Sequence, residues 1–252
     1  PTLLSRAVAG IVMTALAFNA KHEVYLKAKN IFCRNLEMLR RILKIAIPNA
    51  IENGLFALGR VLVTSIVAMF GTAQIAANGV AGSVDLIAII VVSAMNLAVV
   101  TVVGQCVGAE RYDEAERYLK KMMKISWLAT SILTVVVWLC LPFILNCFAV
   151  SEETYHYAYI LVMLHNIFAT LFHPTSFNLP NGLRAAGDAK FTMYVGIGSM
   201  AIFRIGSAVL FGIVLNMGVV GVWIAMGMDW LARSVAFVWR FKSKKWQKFR
   251  AI

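Results

Sequence analysis

The sequence predicts an all-α polytopic membrane protein, a single six-helix bundle preceded by a partial helix. Three observations predict it. Of 252 residues, 60% are hydrophobic and only 14% charged, with a mean hydropathy of +0.77, a balance that a soluble domain would struggle to keep in solution. The apolar residues gather into runs of roughly 20 or more, the length of one helical crossing of a hydrocarbon core about 30 Å thick. Lys and Arg collect in alternate connections between those runs, as the two faces of a membrane require.

Taken in order, residues 3–20 form an incomplete span. The chain opens inside this apolar run with no charged n-region, so no signal peptide is expected and the start reads as falling within a helix. Residues 21–46 are a charged connector ending in "NLEMLRRILKIAIP". There Leu36, Leu39, Ile42 and Leu43 share one stripe, with Arg40, Arg41 and Lys44 off it, the pattern of an amphipathic interfacial helix. Six spans follow, near 47–70, 75–103, 125–148, 155–179, 191–215 and 219–239, inside a transmembrane lobe of residues 47–240. Runs this long exceed a barrel strand, and a helix satisfies its own backbone in lipid. The connector "GAERYDEAERYLKKMMK" carries acids early and bases late, as a helix dipole favours. Residues 241–252 are a basic tail.

Charge gives the orientation. Of 24 Lys and Arg residues, 20 lie in four places: seven in 21–44, five in 111–124, two at Arg184 and Lys190, and six in 240–250. The intervening connections, near 71–74, 149–154 and 216–218, hold none. The positive-inside rule makes the basic side and the C-terminus cytoplasmic. The net charge of +12 marks the ends of spans instead of one face interleaved with stacking aromatics, so nucleic acid is not an expected partner; the lipid bilayer is. Cys33, Cys106, Cys140 and Cys147 have no CxxC or Cys/His spacing and read as small core residues.

Seven charges remain inside the apolar runs: Arg6, Arg60, Arg204, Arg233, Glu52, Asp85 and Asp229. Each costs on the order of 3 kcal/mol at mid-bilayer and needs a partner, a wet cavity or a function. An outer turn near residues 72 and 73 puts Arg60 and Asp85 at equal depth on antiparallel helices. A turn near 216 and 217 does the same for Arg204 and Asp229, and Arg233 lies at i+4 from Asp229. Two intramembrane ion pairs are the expectation. Glu52, one turn after Pro48, has no level partner, and a desolvated carboxyl there suits loading and release of a coupling ion. Asp229 and Asp85 are the next coupling candidates. His165 and His173 read as buried histidines bonded to a neighbouring helix. Met95, Met193, Met200, Met226 and Met228 are candidates for an adaptable cavity lining.

"TVVGQCVGAERYDEA", "LPNGLRAAGDAKF" and "GVVGVWIAMGMDWLARS", followed by "VWRFKSKKW", stand in an order that resembles the C-terminal half of a multidrug and toxic compound extrusion (MATE) transporter of the Gram-positive anaerobe type. "LLSRAVAGIVM" is similar to part of that family's sixth helix, and "IPNAIENGLFALGRVLVTSIVAMFGTAQIAANGVAGSV" to the seventh helix and the start of the eighth. The resemblance implies two six-helix lobes around a substrate cleft, with alternating access driven by H⁺ or Na⁺. This chain would supply one lobe, residues 1–20 being the last helix of the other. The partner would be an N-terminal lobe or a second half-size chain. The implied activity is antiport of amphipathic or cationic drug-like compounds across the cell membrane, with no cofactor beyond the coupling ion and no catalysis. Asn53, Asn78, Met95 and Asn96 are the implied cleft contacts. Where better-studied branches carry a seventh-helix glutamate two turns after the proline, this chain has Phe56, and no tenth-helix aspartate stands in 155–179. A lipid-linked saccharide flippase of the same superfamily, which needs a cationic cavity, is the alternative, followed by a non-transporting fragment. A membrane phosphotransferase or acyltransferase would need clustered aspartates or a His/Asp pair that the spacing does not offer.

"NLPNGLRAAGDAKF" has two glycines, five residues apart, and no preceding strand, which excludes a phosphate cradle. It reads as an inner hairpin turn, with Pro180 and Gly182 loosening one helix, Gly187 turning and Asp188 capping the next helix.

Overall fold

A computed structural model describes residues 2–18 and 36–248, the side chain of Glu52 and several others near it excepted. The expected connector therefore lies mostly outside the described residues. The chain divides into two units, Pro1–Lys44 and Ile45–Ile252. The first contains α1 (Thr2–Ala17) and the opening of α2 (Leu36–Val67).

Among its described residues the second unit has helices joined by short turns and no strand. It comprises the rest of α2, then α3 (Thr72–Ala88), α4 (Ile90–Gly108), α5 (Tyr112–Asn146), α6 (Glu152–His173), α7 (Leu179–Ala185), α8 (Ala189–Ser199) and α9 (Gly218–Lys242). Wider π-helical turns fill Pro174–Asn178 between α6 and α7, and Met200–Gly206 and Val209–Val214 after α8. Among the described residues six helical stretches are long and apolar enough to cross a membrane, including Tyr112–Asn146, Glu152–Ala185, Ala189–Val214 and Gly218–Lys242. Leu97, Leu139 and Phe143, each at least 74% exposed, face outward as they would toward lipid tails and not toward water.

The crossing expected over 75–103 is broken at Ile89, whose backbone leaves the regular helix and whose N–H donates to the carbonyls of Asp85 and Ile87. The two halves then separate their loyalties. α3 packs on α6, while α4 packs on α5 and α7. The core is correspondingly double. Val84, Leu141, Leu161, Val162 and Trp223 build one cluster toward the weakly charged end. Val99, Val103, Leu119, Leu183 and Phe237 build the other toward the basic end. Trp246 joins the second cluster at 1% exposure, its indole N–H donating to the Phe241 carbonyl at 3.2 Å. The basic tail thus folds back on the lobe at least as far as this ring.

Polar side chains tie the crossings where apolar burial has no pull between helices. Ser176 Oγ donates to the Trp230 carbonyl at 2.6 Å, Thr175 meets Ser234 at 2.7 Å, and Asn178 Nδ2 donates to Ser126 Oγ at 2.8 Å. All three anchor the π-helical turns that follow Pro174. At the opposite end Gln74 Oε1 accepts from the Val219 N–H at 2.7 Å, joining two outer turns. Small residues permit close approach: a Cβ on Gly221 would stand 2.6 Å from the Phe211 carbonyl carbon. Gly221→Ala is therefore expected to destabilise the lobe by about 1–3 kcal/mol, read as a lowered unfolding midpoint of the detergent-solubilised protein.

The inner hairpin differs from its expectation in one detail, the role of Asp188. Pro180 and Gly182 lie in the short helix α7 at the end of the preceding crossing. The turn is Ala186–Asp188, where Gly187 takes φ +95°. Its N–H donates to the Arg184 carbonyl and that of Asp188 to the Leu183 carbonyl, both at 2.9 Å, the paired bonds that close a helix around a left-handed residue. Asp188 heads α8 but its side chain caps nothing. Instead it takes both Nε (2.6 Å) and Nη2 (3.1 Å) of Arg240.

Candidate functional site

The break at Ile89 and the π-helical turns Pro174–Asn178 and Met200–Gly206 border a cavity of about 640 Å³. It is lined from α2, α3, α6, α7, α9 and the turns around Phe177 and Arg204. π-helical turns occur mainly where function displaces a side chain from the regular spiral, and here Arg204 sits on one.

Charge inside this cavity is dense for a membrane interior. Arg60, Arg184, Arg204 and Arg233 line it with Asp85 and Asp229. Asp229, 1% exposed, stands 3.8 Å from Arg204 Nη1 and 3.9 Å from Arg233 Nη1. One carboxylate is shared between two guanidinium groups, at separations beyond hydrogen-bond length. Arg233 is also held by two rings, its guanidinium carbon 4.7 Å from the Phe56 centroid and 5.0 Å from that of Phe177, within cation–π range.

Asp85 corrects the other expected pair. Its Oδ1 lies 2.8 Å from His165 Nδ1, and no carboxylate among the described residues stands at ion-pair distance from Arg60. Hairpin arithmetic fixes depth but not the direction in which a side chain leaves its helix, and Asp85 leaves toward α6. The contact is short but misaligned, so neither atom completes a hydrogen bond. An aromatic wall surrounds it: the His165 ring centroid is 5.2 Å from that of Trp230 and 5.8 Å from that of Trp223, and His173 lies 4.7 Å from Trp230 and 4.4 Å from Phe177.

Of the expected cleft residues, Asn53 and Asn78 line the cavity, and Asn78 Oδ1 accepts from the Trp223 indole at 2.9 Å. Met95 and Asn96 are not among its lining residues; they lie on α4, beyond the break that turns that half toward α5. Met200 and Met226 line it, whereas Met95, Met193 and Met228 do not. The Glu52 side chain lies outside the described ones. Phe56, Phe177, Trp223, Trp230 and Arg184 were missed by spacing arguments. For the four aromatics the signal was their density beside intramembrane charge.

Comparison with known proteins follows the same outline. The family model MatE matches residues 48–210. The uncharacterized transporter YisQ of Bacillus subtilis is 28% identical over 252 residues, covering 97% of this chain and 53% of that protein. The probable multidrug resistance protein NorM of Thermotoga maritima is 23% identical over 251 residues, covering 100% and 53%. In three dimensions the chain resembles an outward-facing multidrug resistance MATE family transporter of the MOP superfamily (TM-score 0.83, 19% identity, 97% of this chain and 55% of the other). It also resembles a MOP superfamily transporter from Pyrococcus furiosus, described as having a binding pocket of reverse polarity that suggests a different function (TM-score 0.84, 20% identity, 98% and 56%). These structures establish the fold, and the chain spans about half the length of the relatives it matches.

Proposed function

Because the chain belongs to the MatE family, we propose that it forms one lobe of a secondary active multidrug exporter. It moves amphipathic compounds by alternating access, coupled to H⁺ or Na⁺. An N-terminal lobe or a second half-size chain supplies the opposing wall. The protein resides in the cell membrane with its basic end cytoplasmic, uses no cofactor beyond the coupling ion, and catalyses no covalent chemistry. The observation that carries this reading is the charged and aromatic cavity within a membrane-spanning bundle. A charge so placed is costly unless it serves transport or is paired.

Coupling works through carboxylates whose occupancy changes the charge of the cavity. Asp85 and Asp229 face it, and Glu52 is retained from its position after Pro48. A cation bound at one of them favours whichever access state binds it more tightly, and that difference in affinity is the whole drive of antiport. Efflux of a fluorescent amphiphile from proteoliposomes under separate proton and sodium gradients tests the scheme. Asp85→Asn is expected to lower gradient-driven efflux roughly ten- to hundredfold at equal reconstitution. Glu52→Gln, measured alongside, assigns that residue. Unchanged gradient dependence in all the carboxylate variants would refute carboxylate coupling in this lobe. A lipid-linked saccharide flippase is the second reading, favoured by the four cavity arginines.

A further inference from the structure

The reading above leaves the polarity of the cargo open, and the cavity bears on it. Arg204 has Asp229, Arg233 and Arg60 near enough to act on it electrostatically. Among the described side chains that neighbourhood holds Arg60, Arg204 and Arg233 with the Asp229 carboxylate. The remaining cavity aspartate, Asp85, is turned to His165 at 2.8 Å. The Asp229 carboxylate stands 3.8 Å from Arg204 Nη1, beyond hydrogen-bond length, and Arg204 Nε is buried without an acceptor among the described residues. Arg60 lines the same cavity and has no carboxylate of the described residues at ion-pair distance. A guanidinium presents its donors as a planar fork matched to two oxygens of an oxyanion. Beside these groups lie Phe56, Met200, Val222, Trp223 and Met226, an apolar strip suited to an alkyl chain.

We infer that the cavity binds the oxyanion head of an anionic amphiphile between Arg60 and Arg204, with the apolar tail along Met200, Trp223 and Met226. The inference rests on the proposal that this cavity is the transport site, and it replaces the cationic cargo expected from the family resemblance. A cation placed there would meet the like charges of Arg60 and Arg204. An oxyanion would complete the donors of Arg204 and offset the excess charge. A water-soluble amphiphile and a lipid phosphate both present these oxygens.

The test uses the protein in nanodiscs of zwitterionic lipid, with isothermal titration of octyl phosphate and of octyltrimethylammonium, matched in tail and opposite in charge. Octyl phosphate is expected to bind more tightly. Arg60→Gln is expected to weaken it roughly tenfold or more, the loss of one charged contact, while Arg60→Lys retains most of it. Arg60 is exposed and, among the described residues, makes no ion pair, so these variants read binding and not folding. Polyprenyl phosphate added to the disc separates the two sources: competition with octyl phosphate identifies a lipid cargo, and its absence a soluble one. Equal or tighter binding of the ammonium probe, or a phosphate preference unmoved by Arg60→Gln, overturns the inference. Efflux of a cationic dye with the ammonium probe preferred would overturn this inference and spare the transport reading. Phosphate preference without gradient-driven efflux of either probe would do the reverse.

Discussion

Asp229→Asn is expected to destabilise the lobe by about 3–5 kcal/mol, because it strips the shared counter-charge from two guanidinium groups inside the membrane. The carboxylate is 1% exposed and stands between Arg204 and Arg233. An asparagine of the same shape keeps the packing and removes only the charge. The unfolding midpoint of detergent-solubilised protein should fall well below that of the parent. Adding Arg204→Gln should recover part of the loss, since the second change removes one of the orphaned charges. A double-mutant cycle isolates that coupling. If the single variant matched the parent in stability, the carboxylate would not be the keystone of this cluster.

Asp188→Ala is expected to cost about 3 kcal/mol by a different route. The Asp188 side chain is 2% exposed and grips Arg240 through two bonds, while the Arg240 guanidinium also lies 4.6 Å over the Phe191 ring. Removing the carboxylate leaves a largely buried cation at the junction of the inner hairpin and the end of α9. The expected result is a lower unfolding midpoint together with faster proteolysis at the turn Ala186–Asp188. Asp188→Asn, which keeps one acceptor for Arg240, should lie between the parent and the alanine variant.

The spans and their ends were legible because they depend on long-range averages. Some twenty apolar residues and a bias in Lys and Arg survive most local irregularity, and five of the six crossings overlap the stretches those averages mark, while the run over 75–103 is split at Ile89 and only Ile90–Gly108 is long enough to cross. Depth was legible too, which is why Arg204 and Asp229 were expected level and stand within 3.8 Å. Azimuth was not. Asp85 and Arg60 share a depth, yet the partner of Asp85 is His165, because one residue advances a helix by about 100° and small irregularities accumulate. The break at Ile89 carries no proline or glycine to announce it, and the apolar run around it reads as uninterrupted helix. Asp188 followed the pattern of a helix cap, but a bidentate arginine offers a carboxylate more than a single backbone N–H does.

The π-helical turns of Met200–Gly206 and Val209–Val214 carry an evolutionary consequence. A stretch wound with one more residue per turn than its α-helical neighbours stores an insertion within the crossing itself, so the residues on either side keep their facing while the chain grows longer. Arg204 occupies such a stretch. Loss of a single residue there would let the backbone rewind to regular helix and would swing Arg204 by about 100° out of its place, while α8 before it and α9 beyond it kept their packing. The charge of the cavity can in this way be edited by changes in length as well as by substitution, with the scaffold left standing.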